Sequence, residues 1–560
     1  MFGRRRQEEI TSSEADEKLR GDRMTIYFIG VIVSIIVYLL VGIWAGKNVK
    51  DTNDYYVSGR NGSTLLIAGT LFASMLSVTG FMGDQGFCYS GNITTMVLLN
   101  TICACGYIAG PLVFGRYLRR SECNTMPEYF GKRYQDPKIR RVAGVITIIS
   151  LTAYLLSSIT GVGILMEELT GLSYEVCLFL AWLCFTGFTF YSGSKGVILT
   201  DTMMFLVFLF ATMLAGPYIF REQGGIGGLV DNLMNNPAAH PQILDYHGNI
   251  AATGATDAFG AVMYAVTMGI VWMITVSVSP WQAGRNMMAK SEHVTFRAGA
   301  VAAICTTVFL LYLNMESVAV INIKPDLNDP QRVLIWASME VVPKLVGTLL
   351  LSGIMAAGLS SASTFLSVIG FSVSSDIIAK EFRSTKEELR FNRMVMLAVG
   401  VLALILAYLG LGSMRVIAYF ASTIIAASWA VPAIGSVFCK KLSATGARYA
   451  MLAGFFGFIF SKCLTGFHIG PFDELLKNFL DPFFIGIYLS ILFAVIGSKR
   501  SPKSLQEESY HKNLLIVPQN ERVRADYRRD RIYGYLMIIA GIATACLLLF
   551  GWAFPYNGIL

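Results

Sequence analysis

Apolar runs of about 18 to 30 residues recur from Met24 to the end of the chain, separated by shorter polar connections. Each run is long enough for a helix to cross about 30 Å of hydrocarbon. The pattern predicts fourteen membrane helices, at 24–46, 64–86, 94–117, 140–165, 174–192, 196–220, 260–281, 294–322, 344–379, 392–411, 414–439, 444–465, 480–498 and 532–554. The first run is too long for a signal-peptide core and lacks a small-residue cleavage site, so it reads as a retained helix. A polar tail, 1–23, precedes it.

Composition sharpens this picture. Of 560 residues 54% are hydrophobic and 15% charged, which is more apolar surface than one soluble domain can bury. Lys and Arg concentrate in alternate connections, at 47–60, 116–141, 285–297, 380–393, 440–448 and 499–531, and the positive-inside rule makes that side cytoplasmic. Fourteen crossings with this polarity place the Arg4-Arg5-Arg6 terminus outside, against the rule. The net charge of +8 is accounted for by that face and its anionic headgroups, so no nucleic-acid partner is implied. Most of the ten cysteines fall in apolar helices and read as small buried side chains. The five histidines fall in predicted loops, leaving no imidazole to relay protons across the membrane.

Two helices contain the means to break. The stretch Gly69 to Gly80 is rich in small and hydroxyl residues, and Thr275 to Ser279 runs into Pro280, which lacks the N–H of a continuous helix. Setting the N-terminal helix aside, these are the first and sixth spans, a separation that suits an inverted five-helix repeat. The repeats are expected at 64–220 and 260–439, with 24–46 as an extra first helix and about three further helices within 444–560. Unwound backbone at bilayer depth is tolerated where it lines a cavity, and its freed carbonyls are ligands for a cation. A kink without a site is the plainer alternative.

The span beginning at 344 carries Ser360, Ser361, Ser363 and Thr364 close together, followed by Ser367, Ser372, Ser374 and Ser375. Neutral hydroxyls and carbonyls suit a monovalent cation that must leave again, sodium above all, although hydroxyls also serve as contacts between helices. Asp201 lies one turn inside its span, where a carboxylate is costly unless paired or ion-bound. Glu316 and Asp84 lie nearer helix ends and carry less weight.

Together these residues resemble the solute:sodium symporter family. Asp54-Tyr55-Tyr56-Val57-Ser58-Gly59-Arg60 is similar to its signature after the first helix, and Met126 to Tyr134 to its T-x-P-E-[YF]-x-x-x-R-[YF] segment. Gln282 to Ser291 is similar to the cytoplasmic end of its sixth core helix, and Ala356 to Ile377 resembles its eighth. The resemblance implies an all-α integral membrane protein of the leucine-transporter type. It implies a sodium site made by the carbonyls of Ala73, Leu76 and Ala357 with the hydroxyls of Ser360 and Ser361, and a second at Asp201, Ser360, Ser363 and Thr364, hence two sodium ions per cycle. No other metal is implied. For the solute it implies a pocket at Ser77, Thr79, Trp272, Val276 and Pro280, without the sugar-binding Glu-Gln pair and gating Tyr, so a small carboxylate such as an amino acid, monocarboxylate or pantothenate-like acid is expected.

The expected function is therefore sodium-coupled import of a small organic solute across a plasma membrane, bacterial by the lack of a cleaved leader and of a disulfide framework. The alternative is a proton-coupled or uncoupled carrier of the same fold. An enzyme is not expected, because the helices hold neither a metal motif nor a convergent nucleophile and base.

Overall fold

The computed structural model describes residues 26–44, 56–378, 382, 384–469, 471–523 and 525–556. The polar tail 1–23, with Arg4-Arg5-Arg6, and the first two residues of the Asp54 to Arg60 signature lie outside the described residues. All regular structure among the described residues is helical apart from one isolated bridge, Gly62 to Ala289.

Twelve of the described helices are long and apolar enough to cross a membrane, and two shorter apolar helices accompany them. The elements that matter below are α1 (Ile26–Trp44), α2 (Thr64–Met75), α3 (79–92), α4 (93–121), α5 (Met126–Tyr134), α6 (Pro137–Thr170) and α7 (Tyr174–Arg221). They continue with α8 (Ala258–Val278), α9 (Ala283–Met287), α10 (Glu292–Ile321), α11 (Lys344–Phe371), α12 (Thr385–Tyr408) and α13 (Met414–Phe438). Last come α14 (Ala444–Gly466), α15 (Pro482–Arg500), α16 (Leu505–Leu515) and α17 (Ala525–Ala553). Gly91, at φ 100°, interrupts the helical run 79–121 and divides α3 from α4. Both spans expected at 174–192 and 196–220 fall within the one helical stretch of α7.

Burial sorts these helices into a core and a periphery. α2, α3, α6, α7, α8, α11 and α13 pack on one another, whereas α1, α15 and α17 show Ile29, Val33, Leu40, Ile491, Ile539 and similar side chains to the lipid. Lipid-facing apolar residues need no cover in this setting.

Both expected breaks are present, and the first is narrower than its small-residue stretch. α2 runs to Met75, Leu76 leaves helical geometry at φ −75° and ψ 82°, and the helix resumes at Thr79. Phe72 and Phe81, on either side of the gap, both insert among Phe208 and Phe309 of α7 and α10, with ring centroids 5.3 to 5.7 Å apart. Aromatic pairs of this kind contribute about 0.5–1.5 kcal/mol each. The two half-helices are thereby anchored while the residues between them unwind. Val78 fits between Gly161 and Gly358, where an added Cβ would come within 2.4 and 2.8 Å of its side chain. In the second break α8 ends at Val278, Ser279 is extended at ψ 152°, and Pro280 to Gln282 lead into α9.

The Met126 to Tyr134 segment has a structural role. Thr125 caps α5 by accepting from the Glu128 N–H, and its hydroxyl donates to Asp376 Oδ1, which also accepts from Arg140. Arg133 Nε donates to Ser436 O and Tyr134 OH to Pro432 O, fastening α5 to the end of α13. Two histidines expected in loops lie in helices instead. His293 is in the first turn of α10, and His511 is in α16, a helix within the connection 499–531. All ten cysteines are free thiols.

Candidate functional site

At the first break the backbone releases two acceptors. In a continuous helix the N–H groups of Ser77 and Gly80 would donate to Ala73 O and Leu76 O. Here they donate to Met75 O and Ser77 O, at 2.9 and 3.0 Å. Across from the gap, α11 packs against α2 and brings Gly358 against Val78. Ser361 lies three residues on, on the same face of α11. Its Oγ is fully buried and has no hydrogen-bond partner, an arrangement that costs free energy unless a ligand completes it. Ala73, Leu76 and Ala357 are buried as well.

Ser360 is engaged as a donor. Its hydroxyl donates to Asp201 Oδ1 at 2.6 Å, and Thr70 Oγ1 donates to Asp201 Oδ2 at 2.6 Å. The same Oδ2 lies 3.2 Å from Arg285 Nη2, which donates to Thr364 Oγ1 at 2.5 Å. Ser363 Oγ is occupied by its own helix, donating to Ser360 O. Asp201, Ser360 and Thr364 therefore converge as the sequence implied, Ser363 does not join them, and a guanidinium that sequence reasoning did not single out stands among them.

Two cavities flank the breaks. A central one is lined by Ser77, Thr79 and Trp272 as expected, together with Asp84, Asn100, Tyr107, Tyr154, Thr306 and Tyr419. Val276 lines neither cavity, and Pro280 lines the other one, with Trp281, Arg285, Thr364 and Phe371. Tyr154, Trp281 and Phe365 stand between the two cavities, in mutual contact with centroids 4.5 to 5.8 Å apart. In the central cavity Asn100 Nδ2, Tyr107 OH and Thr306 Oγ1 are buried without hydrogen bonds. The last two are neighbours whose geometry falls short of one. At its edge Arg415 Nε is 3.0 Å from Asp84 Oδ1, and its guanidinium lies 3.7 Å from the centre of the Phe87 ring. Tyr419 OH donates to the same carboxylate oxygen at 3.1 Å. Glu316 is buried with neither carboxyl oxygen bonded.

Gln282 ties the breaks together. Its Nε2 donates to Leu71 O and to Ser74 Oγ, each at 3.2 Å, so the segment after the second break is held to the half-helix before the first. Gly62 and Met288 to Lys290 add a second tie through backbone bonds.

Comparison with known proteins agrees with this architecture. The osmoregulated proline transporter OpuE of Bacillus subtilis is 25% identical over 442 residues, covering 76% of this chain and 87% of that protein. The sodium/proline symporter of Escherichia coli K12 is 23% identical over 445 residues, covering 76% and 86%. The solved structure of a Na+-coupled sialic acid symporter in a substrate-bound outward-open state superposes with a TM-score of 0.70 at 18% identity, over 86% of this chain and 99% of that one. That likeness establishes the fold, an inverted five-helix repeat of the leucine-transporter type with extra terminal helices. The twelve candidate membrane helices and the bacterial symporter relatives make this a multi-pass plasma-membrane protein. The sequence model of one family matches residues 55–454, most of the chain, and the protein belongs to that family, the sodium:solute symporters, which couple solute movement to sodium.

Proposed function

We propose that this symporter imports a small organic carboxylate, an amino acid or a monocarboxylate, with sodium bound at the first break by Ala73, Leu76 and Ala357 carbonyls and by the hydroxyls of Ser360 and Ser361. The observation that carries the ion site is the unpartnered Ser361 hydroxyl beside a gap whose Ala73 and Leu76 carbonyls have lost their helical donors. These are neutral oxygens, suited to an ion that binds from outside and is released inside. The solute belongs in the central cavity. Met75, Leu76, Leu99 and Trp272 supply its apolar wall, and Ser77, Thr79, Asn100, Tyr107 and Thr306 supply hydroxyl and amide donors for a carboxylate. Two relatives named for proline support an amino-acid-sized ligand.

The two repeats are read as 64–220 and 260–439, flanked by 24–46 and by 444–560. In the cycle, sodium and solute fill their sites from the central cavity, the Tyr154–Trp281–Phe365 partition parts, and both leave through the cavity lined by Pro280, with no covalent step. The test is a solute screen by thermal stabilisation of the purified protein, run in sodium and in choline. A small carboxylate that stabilises only in sodium supports the reading. Stabilisation of equal size in both salts, or by a proton gradient alone in uptake, favours the proton-coupled or uncoupled carrier.

A further inference from the structure

We propose that Arg285 is a built-in cation that takes the place of a second sodium ion, so that this protein binds one sodium rather than two. The inference rests on the sodium-coupled reading and adds its stoichiometry. A second site needs Asp201 and the hydroxyls around it to offer a net negative, partly unsatisfied cage. The structure fills that cage from within. One guanidinium nitrogen, Nη2, reaches both Asp201 Oδ2 and Thr364 Oγ1, the two oxygens a second ion would have to bridge. Ser360 and Thr70 donate to the carboxylate rather than pointing lone pairs at a vacancy, and Ser363 is bonded to its own helix. Asp201 and Arg285 side chains are 1% and 5% exposed, so their charges cancel inside the protein, and an added ion would leave an uncompensated positive charge there.

The placement of Arg285 follows from the second break. α8 stops at Val278, the chain turns through Ser279 to Gln282, and α9 then presents Arg285 toward α7 and α11. A straight continuation of α8 would not offer the same approach. Arg285 and Thr364 also line the Pro280 cavity, the exit in the proposed cycle. The main sodium site shares Ser360 with this cluster but keeps the Ser361 hydroxyl, which has no bond to it.

The experiment counts sodium directly by equilibrium binding of 22Na+ to the full-length purified protein in detergent, with unlabelled sodium, potassium and choline as competitors. The expected count is one per chain for the wild type, and for Ser361→Ala the sodium concentration that half-fills the site rises roughly 30-fold. Arg285→Gln frees Asp201 and is expected to raise the count to two, whereas Arg285→Lys keeps it at one. Two ions in the wild type would overturn the proposal, as would one ion bound with unchanged affinity in Ser361→Ala. A folded Arg285→Gln protein that still binds one ion would overturn it too. If Arg285→Gln does not fold, the wild type and Ser361→Ala still decide. No sodium binding by the wild type refutes the sodium-coupled reading itself and this inference with it, an outcome distinct from a count of two.

Discussion

Replacing Ser361 by alanine separates a sodium ligand from a packing residue, because the two roles predict opposite signs. The hydroxyl is buried and unpartnered, so removing it from the sodium-free protein takes away an unsatisfied polar group. Folding stability in choline should then equal or exceed the wild type, by up to about 1–3 kcal/mol. In sodium the same atom is read as a ligand, and a contact of this type to a charged group contributes about 1.5–3 kcal/mol. A loss of about 2 kcal/mol corresponds to a roughly 30-fold weaker Kd. Ligand binding stabilises the folded state by RT ln(1 + [L]/Kd), so at a sodium concentration 100 times the wild-type Kd the gain falls from about 2.7 to about 0.9 kcal/mol. The assay is thermal melting of purified protein across a sodium series, with potassium and choline as controls. A variant that melts lower in choline yet keeps the full sodium response would show Ser361 to be packing only, and would refute the reasoning.

Three further outcomes follow from the same structure. Gly358→Ala places a methyl within 2.4 Å of Val162 and 2.8 Å of Val78, so it should lower stability by about 1–3 kcal/mol and weaken sodium binding by disturbing the break, measured by melting with and without sodium. Arg415→Met leaves Asp84 without its ion-pair partner and should cost about 3–5 kcal/mol, while the double variant with Asp84→Asn recovers part of that loss in a double-mutant cycle. His511, buried against Val437 O and Lys503, has its pKa pushed down to about 4, mainly by burial. Its neutral form is the one the fold holds, so between pH 4 and its ordinary value of 6.5 the unfolded chain binds the extra proton and stability falls as pH falls. His511→Gln should flatten that part of the melting-temperature profile relative to the wild type.

The parts of this protein that a single helix encodes were legible in its sequence. Pro280 and the run of small residues before Gly80 mark the breaks because backbone hydrogen bonding is a local matter, and Asp201 stood out because a carboxylate among apolar residues has few explanations. What depends on depth or on a neighbour was not legible. Periodicity gives the face of α8 that carries Trp272 and Val276 but not where the cavity stops, which the partition of Tyr154, Trp281 and Phe365 decides. Asn100, Tyr107 and Thr306 look like ordinary polar residues in α4 and α10 until the packing leaves them unpaired. Arg285 read as one more basic residue at a cytoplasmic helix end, because its turn toward Asp201 arises only after the break, in three dimensions.

The most direct test of sodium-coupled import uses proteoliposomes under an inside-negative potential and a radiolabelled solute taken from the sodium-dependent screen. One sodium entering down 100 mV supplies about 2.3 kcal/mol before any concentration term, enough for a roughly 50-fold accumulation of a neutral zwitterion. The account predicts accumulation with sodium outside and its loss when choline replaces sodium at fixed pH. Accumulation that persists in choline and collapses only with a protonophore would contradict it.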